Sequence, residues 1–68
     1  MDIRINGEAK TVQAGLNLYQ LLIDLQVEPS RPGIAISLNR EVVPRKLWPE
    51  TEVEPDSEIE IIRAVQGG

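Results

Sequence analysis

The sequence contains neither cysteine nor histidine. Without cysteine the chain can form no disulfide, no thiolate metal site and no thiol nucleophile, and nothing in it indicates an oxidising compartment. Histidine is a common metal ligand and the usual proton carrier near neutral pH, so its absence disfavours a metalloenzyme or a self-contained hydrolase. A site built from carboxylates alone stays open. We expect no catalytic residue and no metal site, and interpret the chain as a partner of enzymes.

Aromatic residues are almost absent as well, because Tyr19 and Trp48 are the only ones in 68 residues. Leucine, isoleucine and valine must therefore form the core, and a chain this short supports one core rather than two. We predict one domain over residues 1–63 and a flexible C-terminal tail over residues 64–68. Trp48 is interpreted as a satellite of the core that anchors the segment after Pro44, with a partner-binding anchor as the alternative. Tyr19 is expected to be half-buried.

Positive charge is also scarce, since seven basic residues face eleven acidic ones and the net charge is −4. This balance repels phosphate backbones and anionic membrane surfaces, so we expect neither a nucleic-acid partner nor a membrane partner. The first residues show no basic segment followed by an apolar one, and no apolar run approaches the roughly 18 residues that cross a bilayer. We expect a cytoplasmic protein.

Short-range signals in the first half of the chain predict a β-hairpin followed by a helix. Alternating apolar and polar residues flank Asn6-Gly7, and Asn-Gly favours the positive φ angles of a two-residue turn between twisted strands. Asn17, with Gln20 three residues later, matches a capping box at a helix start. The leucines that follow have the spacing of one stripe on a helix of about ten residues: Leu18, Leu21, Leu22 and Leu25.

The second half of the chain alternates between turn signals and extended patterns. We predict a loop over residues 28–33, strands over residues 34–38, 41–43 and 58–65, a tight turn at Asn39-Arg40, and an irregular segment over residues 44–49. The order ββαβββ indicates an α+β domain in which one face of the sheet packs on the helix. The other face is left open, and apolar residues on it would be available to a partner.

Acidic residues recur at every second position near the end of the chain: Glu50, Glu52, Glu54, Asp56, Glu58 and Glu60. In one extended segment this spacing would place the carboxylates on one face. The series crosses a turn, however, so we interpret it as a solvated surface, with docking onto a basic partner as the alternative. Arg45 could pair with a local carboxylate or with a partner.

The chain closes with Gly67-Gly68. Glycine has no Cβ, so a diglycine end fits a narrow channel, and residues 64–68 could reach about 17 Å into a partner. A frayed end is the alternative interpretation. The terminal carboxylate is an anion at neutral pH and a poor electrophile, so its reaction requires activation, for example by ATP. The sequence has no glycine-rich phosphate loop, which implies that a separate enzyme would activate the tail.

These features together resemble the ThiS family of sulfur carriers in thiamine biosynthesis. The resemblance covers nearly the whole chain and is most specific where a Val-Pro-Arg-x-x-Trp stretch is combined with a Val-Gln-Gly-Gly end. It departs from the family at Asp56-Ser57-Glu58, where Asp-Gly-Asp is common, which could change the turn before the last strand. The family has the ubiquitin-like β-grasp fold, so the resemblance implies a mixed sheet packed on one main helix.

The resemblance also implies a mechanism and its partners. A ThiF-like enzyme would use ATP and magnesium to adenylate the carboxylate of Gly68, and sulfur from a cysteine desulfurase relay would convert it to a thiocarboxylate. A ThiG-like thiazole synthase would then accept the sulfur. Gly67 would give clearance in the partner's channel, while Val65 and Gln66 would guide the tail. The chain itself would bind no cofactor and would be monomeric when free.

Three alternatives stay open beside this interpretation. A small subunit of molybdopterin synthase uses the same terminal chemistry, although such chains tend to be longer and to have proline in the tail. A ubiquitin-like modifier would form isopeptide bonds with lysine. A plain binding module would keep its activity after removal of Gly67 and Gly68.

Overall fold

A mixed five-stranded sheet is the centre of the fold in the computed structural model, which describes residues 1–64. The elements in chain order are β1 (Asp2–Ile5), β2 (Glu8–Thr11), α1 (Leu18–Asp24), β3 (Ile34–Leu38), β4 (Glu41–Val43), a 3₁₀ helix (Arg45–Glu50) and β5 (Glu58–Arg63). The strands lie in the order β2-β1-β5-β3-β4, with β1 and β5 parallel and the other neighbours antiparallel. The predicted ββαβββ order and α+β class are confirmed. The division into a domain and a tail stays a prediction, because residues 65–68 lie outside the described part.

The first hairpin turns at Asn6-Gly7, as predicted, with φ angles of 51° and 83°. The side chain of Asn6 also forms two hydrogen bonds with the backbone of β5. The amide of Ile61 donates to Asn6 Oδ1 at 2.8 Å, and Asn6 Nδ2 donates to the Ile61 carbonyl at 3.3 Å. The side chain of Asn6 therefore continues the pairing between β1 and β5 for one more residue and fastens the turn to the central strand.

Replacing Asn6 with glycine should lower the free energy of unfolding by about 1–2 kcal/mol, because glycine accepts the positive φ but loses both side-chain hydrogen bonds. Urea unfolding followed by Trp48 fluorescence measures this difference. Asn39→Gly is the matched control, since Asn39 has a φ of 50° and its side chain accepts one hydrogen bond, from the amide of Glu58 at 2.9 Å. The free energy of unfolding should fall less for Asn39→Gly than for Asn6→Gly. Equal decreases for the two variants would contradict the role given to Asn6.

Helix α1 begins as the sequence predicts and ends earlier. Asn17 and Gln20 form the predicted capping box, with the Gln20 amide donating to Asn17 Oδ1 at 2.8 Å. The helix spans seven residues rather than ten because Gln26 takes a φ of 62°. That conformation lets the amides of Gln26 and Val27 donate to the Ile23 and Leu22 carbonyls, at 2.9 and 2.8 Å, which closes the helix end.

The core lies between α1, the 3₁₀ helix and one face of the sheet. The stripe residues Leu18, Leu21 and Leu22 are fully buried, and Leu25 is half-buried. Tyr19, which was expected to be half-buried, is 42% exposed. The buried apolar residues also include Ile3, Val12, Val27, Ile34, Ile36, Trp48, Val53 and Ile59.

The structure contradicts two predictions, one for Trp48 and one for the segment that contains it. The segment predicted to be irregular forms a 3₁₀ helix, in which the Leu47 amide donates to the Pro44 carbonyl at 2.9 Å. Trp48 is 1% exposed and belongs to the main core rather than to a satellite, while its indole N–H donates to the Val43 carbonyl at 2.9 Å. Burial on this scale contradicts the alternative of an exposed partner anchor, since its ring already packs inside the domain.

Ser57, the point of departure from the family pattern, also has a defined role. Its side chain is 4% exposed, and its hydroxyl donates to the Glu54 carbonyl at 2.6 Å. The positive φ of this turn, 62°, falls on Asp56. Serine therefore closes the turn before β5 with a side-chain hydrogen bond that glycine could not make.

Candidate functional site

The face of the sheet turned away from α1 carries an exposed apolar patch. The strand register pairs Ala35 with Ile62 and Ser37 with Val42, which places these four side chains on one face. Val42 is 76% exposed and Ile62 is 60% exposed. We call Ala35, Val42 and Ile62 the apolar patch, and the surface of the sheet that carries it the open face. The predicted open face is therefore present, and the register determines which apolar residues lie on it.

Carboxylates border the apolar patch on β5. Glu60 lies opposite Ser37, and Glu58 lies opposite Arg4 of β1, so both carboxylates share the open face. Glu58 also approaches Arg40, with 4.0 Å between Arg40 Nε and Glu58 Oε1. Glu60 is therefore the carboxylate next to Ile62 on β5, whereas Glu58 lies beside the two arginines.

The acidic series as a whole does not form one face. Glu50 ends the 3₁₀ helix, and Glu52 forms an isolated bridge with Asn17. Glu54 and Asp56 lie in the segment before β5, so Glu58 and Glu60 are the members that share a strand face. All six are exposed except Glu58, which is half-exposed. The interpretation of a solvated series is confirmed, and the alternative of docking on a basic partner stays a prediction.

The C-terminal segment leaves the sheet beside the apolar patch. Ala64, two residues after Ile62, donates its amide to the Gly33 carbonyl at 2.7 Å. Gly33 has a φ of 83°, and a Cβ at this position would lie 3.3 Å from the Ala64 carbonyl oxygen and 3.4 Å from the Ala64 Cβ. The loop before β3 therefore contacts the chain closely at the last described residue, which defines the exit point of the tail.

The predicted site residues Val65, Gln66, Gly67 and Gly68 lie outside the described residues. Their roles therefore stay predictions. What the structure adds is the position from which they start, at one end of β5 and next to an exposed apolar surface. Sequence reasoning missed Gly33 as part of this exit, although a glycine directly before a predicted strand is a signal for a special backbone conformation.

Arg45 lies at the start of the 3₁₀ helix. Sequence alone left its partner open between a carboxylate and another protein. In the structure its guanidinium donates to the main-chain carbonyls of Pro29 and Arg31. It also lies over the Trp48 ring, 4.7 Å from the ring centroid. Its described contacts are thus within the domain, to backbone and to an aromatic ring.

Residues 1–64 also bear on metal binding and membrane insertion. No group of three or more acidic, histidine or cysteine side chains in this part of the chain is arranged to hold a metal ion. None of its helices has the length and apolar character that crossing a bilayer requires.

Comparison with known proteins agrees with the fold and with the resemblance. A family model described as ThiS family matches residues 3–68. The sulfur carrier protein ThiS of Escherichia coli is 29% identical over 68 residues, which cover all of both chains. A thiazole synthase of Magnetococcus marinus is 32% identical over 68 residues, which cover all of this chain and 20% of that protein.

A solved crystal structure supports the same family. The crystal structure of the thiamine biosynthesis protein ThiS from Geobacter metallireducens superposes with a TM-score of 0.84 at 30% identity, covering 100% of both chains. The similarity therefore extends over the whole sheet and helix rather than a local motif. Since the family model spans residues 3–68 and the architecture agrees over its full length, the chain belongs to the ThiS family and has its β-grasp fold.

Proposed function

We propose that this chain is a sulfur carrier of thiamine biosynthesis whose C-terminal glycine, Gly68, is adenylated and then converted to a thiocarboxylate. The observation that carries the proposal is the match to the sulfur carrier ThiS of Escherichia coli over the full length of both chains. The Gly67-Gly68 end supplies the chemical group that such a function requires. The proposal makes the chain a protein substrate, not an enzyme.

The reaction follows from the chemistry of a carboxylate. A carboxylate oxygen of Gly68 attacks the α-phosphorus of ATP, pyrophosphate leaves, and the carboxyl carbon becomes part of an acyl adenylate. The terminal sulfur of a persulfide then attacks that carbon and AMP leaves, which gives an acyl disulfide. A thiol reductant cleaves the S–S bond of this acyl disulfide and releases the thiocarboxylate of Gly68, and the thiol is oxidised to a disulfide. ATP and magnesium are held by a ThiF-like enzyme, and the sulfur comes from cysteine through a desulfurase relay. Gly67 gives clearance for the approach, and Val65 and Gln66 guide the segment into the enzyme.

The partner that accepts the sulfur is proposed to be a ThiG-like thiazole synthase. Support comes from the thiazole synthase of Magnetococcus marinus, a protein with a segment 32% identical to this chain. The open face supplies the docking surface for partners, since the apolar patch lies two residues before the tail exit and is bordered by Glu58 and Glu60. Activation and transfer are placed in the cytoplasm, with the free chain monomeric.

The intact mass of the chain tests this proposal directly. Incubation with a ThiF-like enzyme, magnesium ATP, cysteine, a desulfurase and a thiol reductant should produce a mass gain that matches exchange of one oxygen for sulfur. A chain that lacks Gly68 is the control and should show no gain, because its terminal carboxylate is one residue short of the reactive position.

Two results would contradict the proposal. The first is no mass gain with an enzyme preparation that thiolates the Escherichia coli carrier under the same conditions. The second is formation of lysine-linked conjugates in place of a free thiolated chain, which would favour a ubiquitin-like modifier.

A further inference from the structure

Arg45 connects its own 3₁₀ helix to the loop before β3, two segments that are distant in sequence. Its Nη1 donates to the Pro29 carbonyl, its Nη2 donates to the Arg31 carbonyl at 2.8 Å, and its guanidinium lies 4.7 Å from the centroid of the Trp48 ring. Trp48 is 1% exposed and hydrogen-bonded, so the ring is a rigid surface. The planar, forked guanidinium suits a stacked position with two separate acceptors, which a lysine ammonium does not reproduce.

The loop that Arg45 holds leads directly to the tail exit. Pro29 is buried and Arg31 is exposed, and two residues after Arg31 the Gly33 carbonyl accepts the Ala64 amide at 2.7 Å. Gly33 also lies so close to Ala64 that an added Cβ would touch it at 3.3 Å. A shift of this loop therefore moves the acceptor that fixes Ala64, the last described residue before the proposed reactive segment.

We propose that Arg45 is a positioning residue that sets the direction in which the C-terminal segment leaves the domain. The proposal rests on the proposed function, because a fixed exit matters when an enzyme must receive the tail. The contacts run from the Trp48 ring through Arg45 to the Pro29 and Arg31 carbonyls, and from Gly33 to Ala64. Each step is a direct contact or a short length of one loop.

The Arg45 contacts would preorganise the C-terminal segment, which is the substrate of the adenylating enzyme. A tail that leaves from a fixed point samples fewer directions, so a larger fraction of docked complexes places Gly68 in the reactive position. Docking itself depends on the open face, which Arg45 does not occupy. Loss of the Arg45 contacts should therefore reduce kcat for adenylation and leave KM for the carrier nearly unchanged.

Two Arg45 variants and one matched control test the proposal. Arg45→Gln removes the fork and the charge, whereas Arg45→Lys keeps the charge and loses the planar fork that stacks on the ring. Thr51→Val is the control, because it removes a side-chain hydrogen bond of the same 3₁₀ helix, from Thr51 Oγ1 to the Leu47 carbonyl at 2.7 Å, away from the loop. The full chain is used throughout, with urea unfolding to confirm that each variant is folded.

The first measurement is amide hydrogen exchange at Ala64 by NMR. Exchange at Ala64 should be faster by roughly tenfold in Arg45→Gln, the factor that corresponds to about 1.4 kcal/mol, and by less in Arg45→Lys. In Thr51→Val it should stay at the wild-type rate. The Ile36 and Ile61 amides, which lie within the sheet, should exchange as in wild type in all three variants once differences in global stability are subtracted. Unchanged exchange at Ala64 in Arg45→Gln would overturn the proposal.

The second measurement is steady-state adenylation by a ThiF-like enzyme, read as pyrophosphate release. Arg45→Gln should lower kcat roughly tenfold with KM within about twofold, and Arg45→Lys should recover part of the loss. A rise in KM alone, or equal kinetics for Arg45→Gln and Thr51→Val, would overturn the proposal. If wild type is not adenylated, the proposed function fails, whereas the exchange measurement still decides whether Arg45 fixes Ala64.

Discussion

Replacing Trp48 with alanine is expected to remove most of the stability of the domain. Trp48 is 1% exposed and is among the largest fully buried side chains, and truncation of a buried tryptophan costs about 3–5 kcal/mol through lost burial and the cavity that remains. The change also removes the donor to the Val43 carbonyl. A domain of 68 residues has a free energy of unfolding on the order of 3–10 kcal/mol, so the variant should be largely unfolded or close to it.

Urea unfolding followed by far-ultraviolet circular dichroism measures this effect, since the variant has no tryptophan to report fluorescence. Leu47→Ala is the matched control, because Leu47 precedes Trp48 in the same 3₁₀ helix and is 39% exposed. The free energy of unfolding should decrease much less in Leu47→Ala than in Trp48→Ala. Similar losses at the two positions would show that Trp48 is not a principal core residue.

Replacing Ile62 with aspartate is expected to produce the largest loss of function among changes to the folded domain. Ile62 is 60% exposed on the open face, so the change should leave folding intact while placing a charge in the centre of the proposed docking surface. Loss of a central apolar contact in an interface costs about 2 kcal/mol or more, which corresponds to a drop of roughly 30-fold in kcat/KM for adenylation. The loss should come mainly from KM.

Ile23→Asp is the control for this prediction. Ile23 is 53% exposed, belongs to α1 and lies in the layer opposite the open face, so the same change of charge and a similar exposure are tested away from the proposed interface. Its kcat/KM should stay within about twofold of wild type, because surface changes outside an interface have small effects. Equal losses for Ile62→Asp and Ile23→Asp would contradict docking through the open face.

The sequence predicts correctly those structural elements that are determined by residues close to one another in the chain. The Asn6-Gly7 turn and the Asn17-Gln20 capping box depend on residues within one turn of the chain, and both are present. The early end of α1 was missed because it depends on Gln26 adopting a positive φ, which any residue other than glycine or asparagine seldom does. The 3₁₀ helix was missed because burial of Trp48 stabilises a segment whose prolines indicate irregular structure.

The candidate site also has a part that the sequence predicts and a part that only the structure reveals. Gly67 and Gly68 are predicted from the sequence alone, because the proposed chemistry belongs to the main chain, and their roles stay predictions. The apolar patch required the strand register, since moving β5 by one residue would exchange Ile62 for Ile61 on the open face. The contacts of Asn6 with Ile61 and of Gly33 with Ala64 join residues far apart in the chain, which no local pattern specifies.

The position of β5 has a consequence for how the protein is made. This strand is the last in the described chain and yet lies between β1 and β3, so the β1–β2 and β3–β4 hairpins have no direct pairing without it. A ribosome that has not yet released β5 therefore holds two hairpins and a helix that cannot close into one sheet. Incomplete chains would expose their apolar surfaces to chaperones and proteases. Only a chain synthesised through β5 can complete the sheet. Under the proposed function, this links completion of synthesis to entry into sulfur transfer.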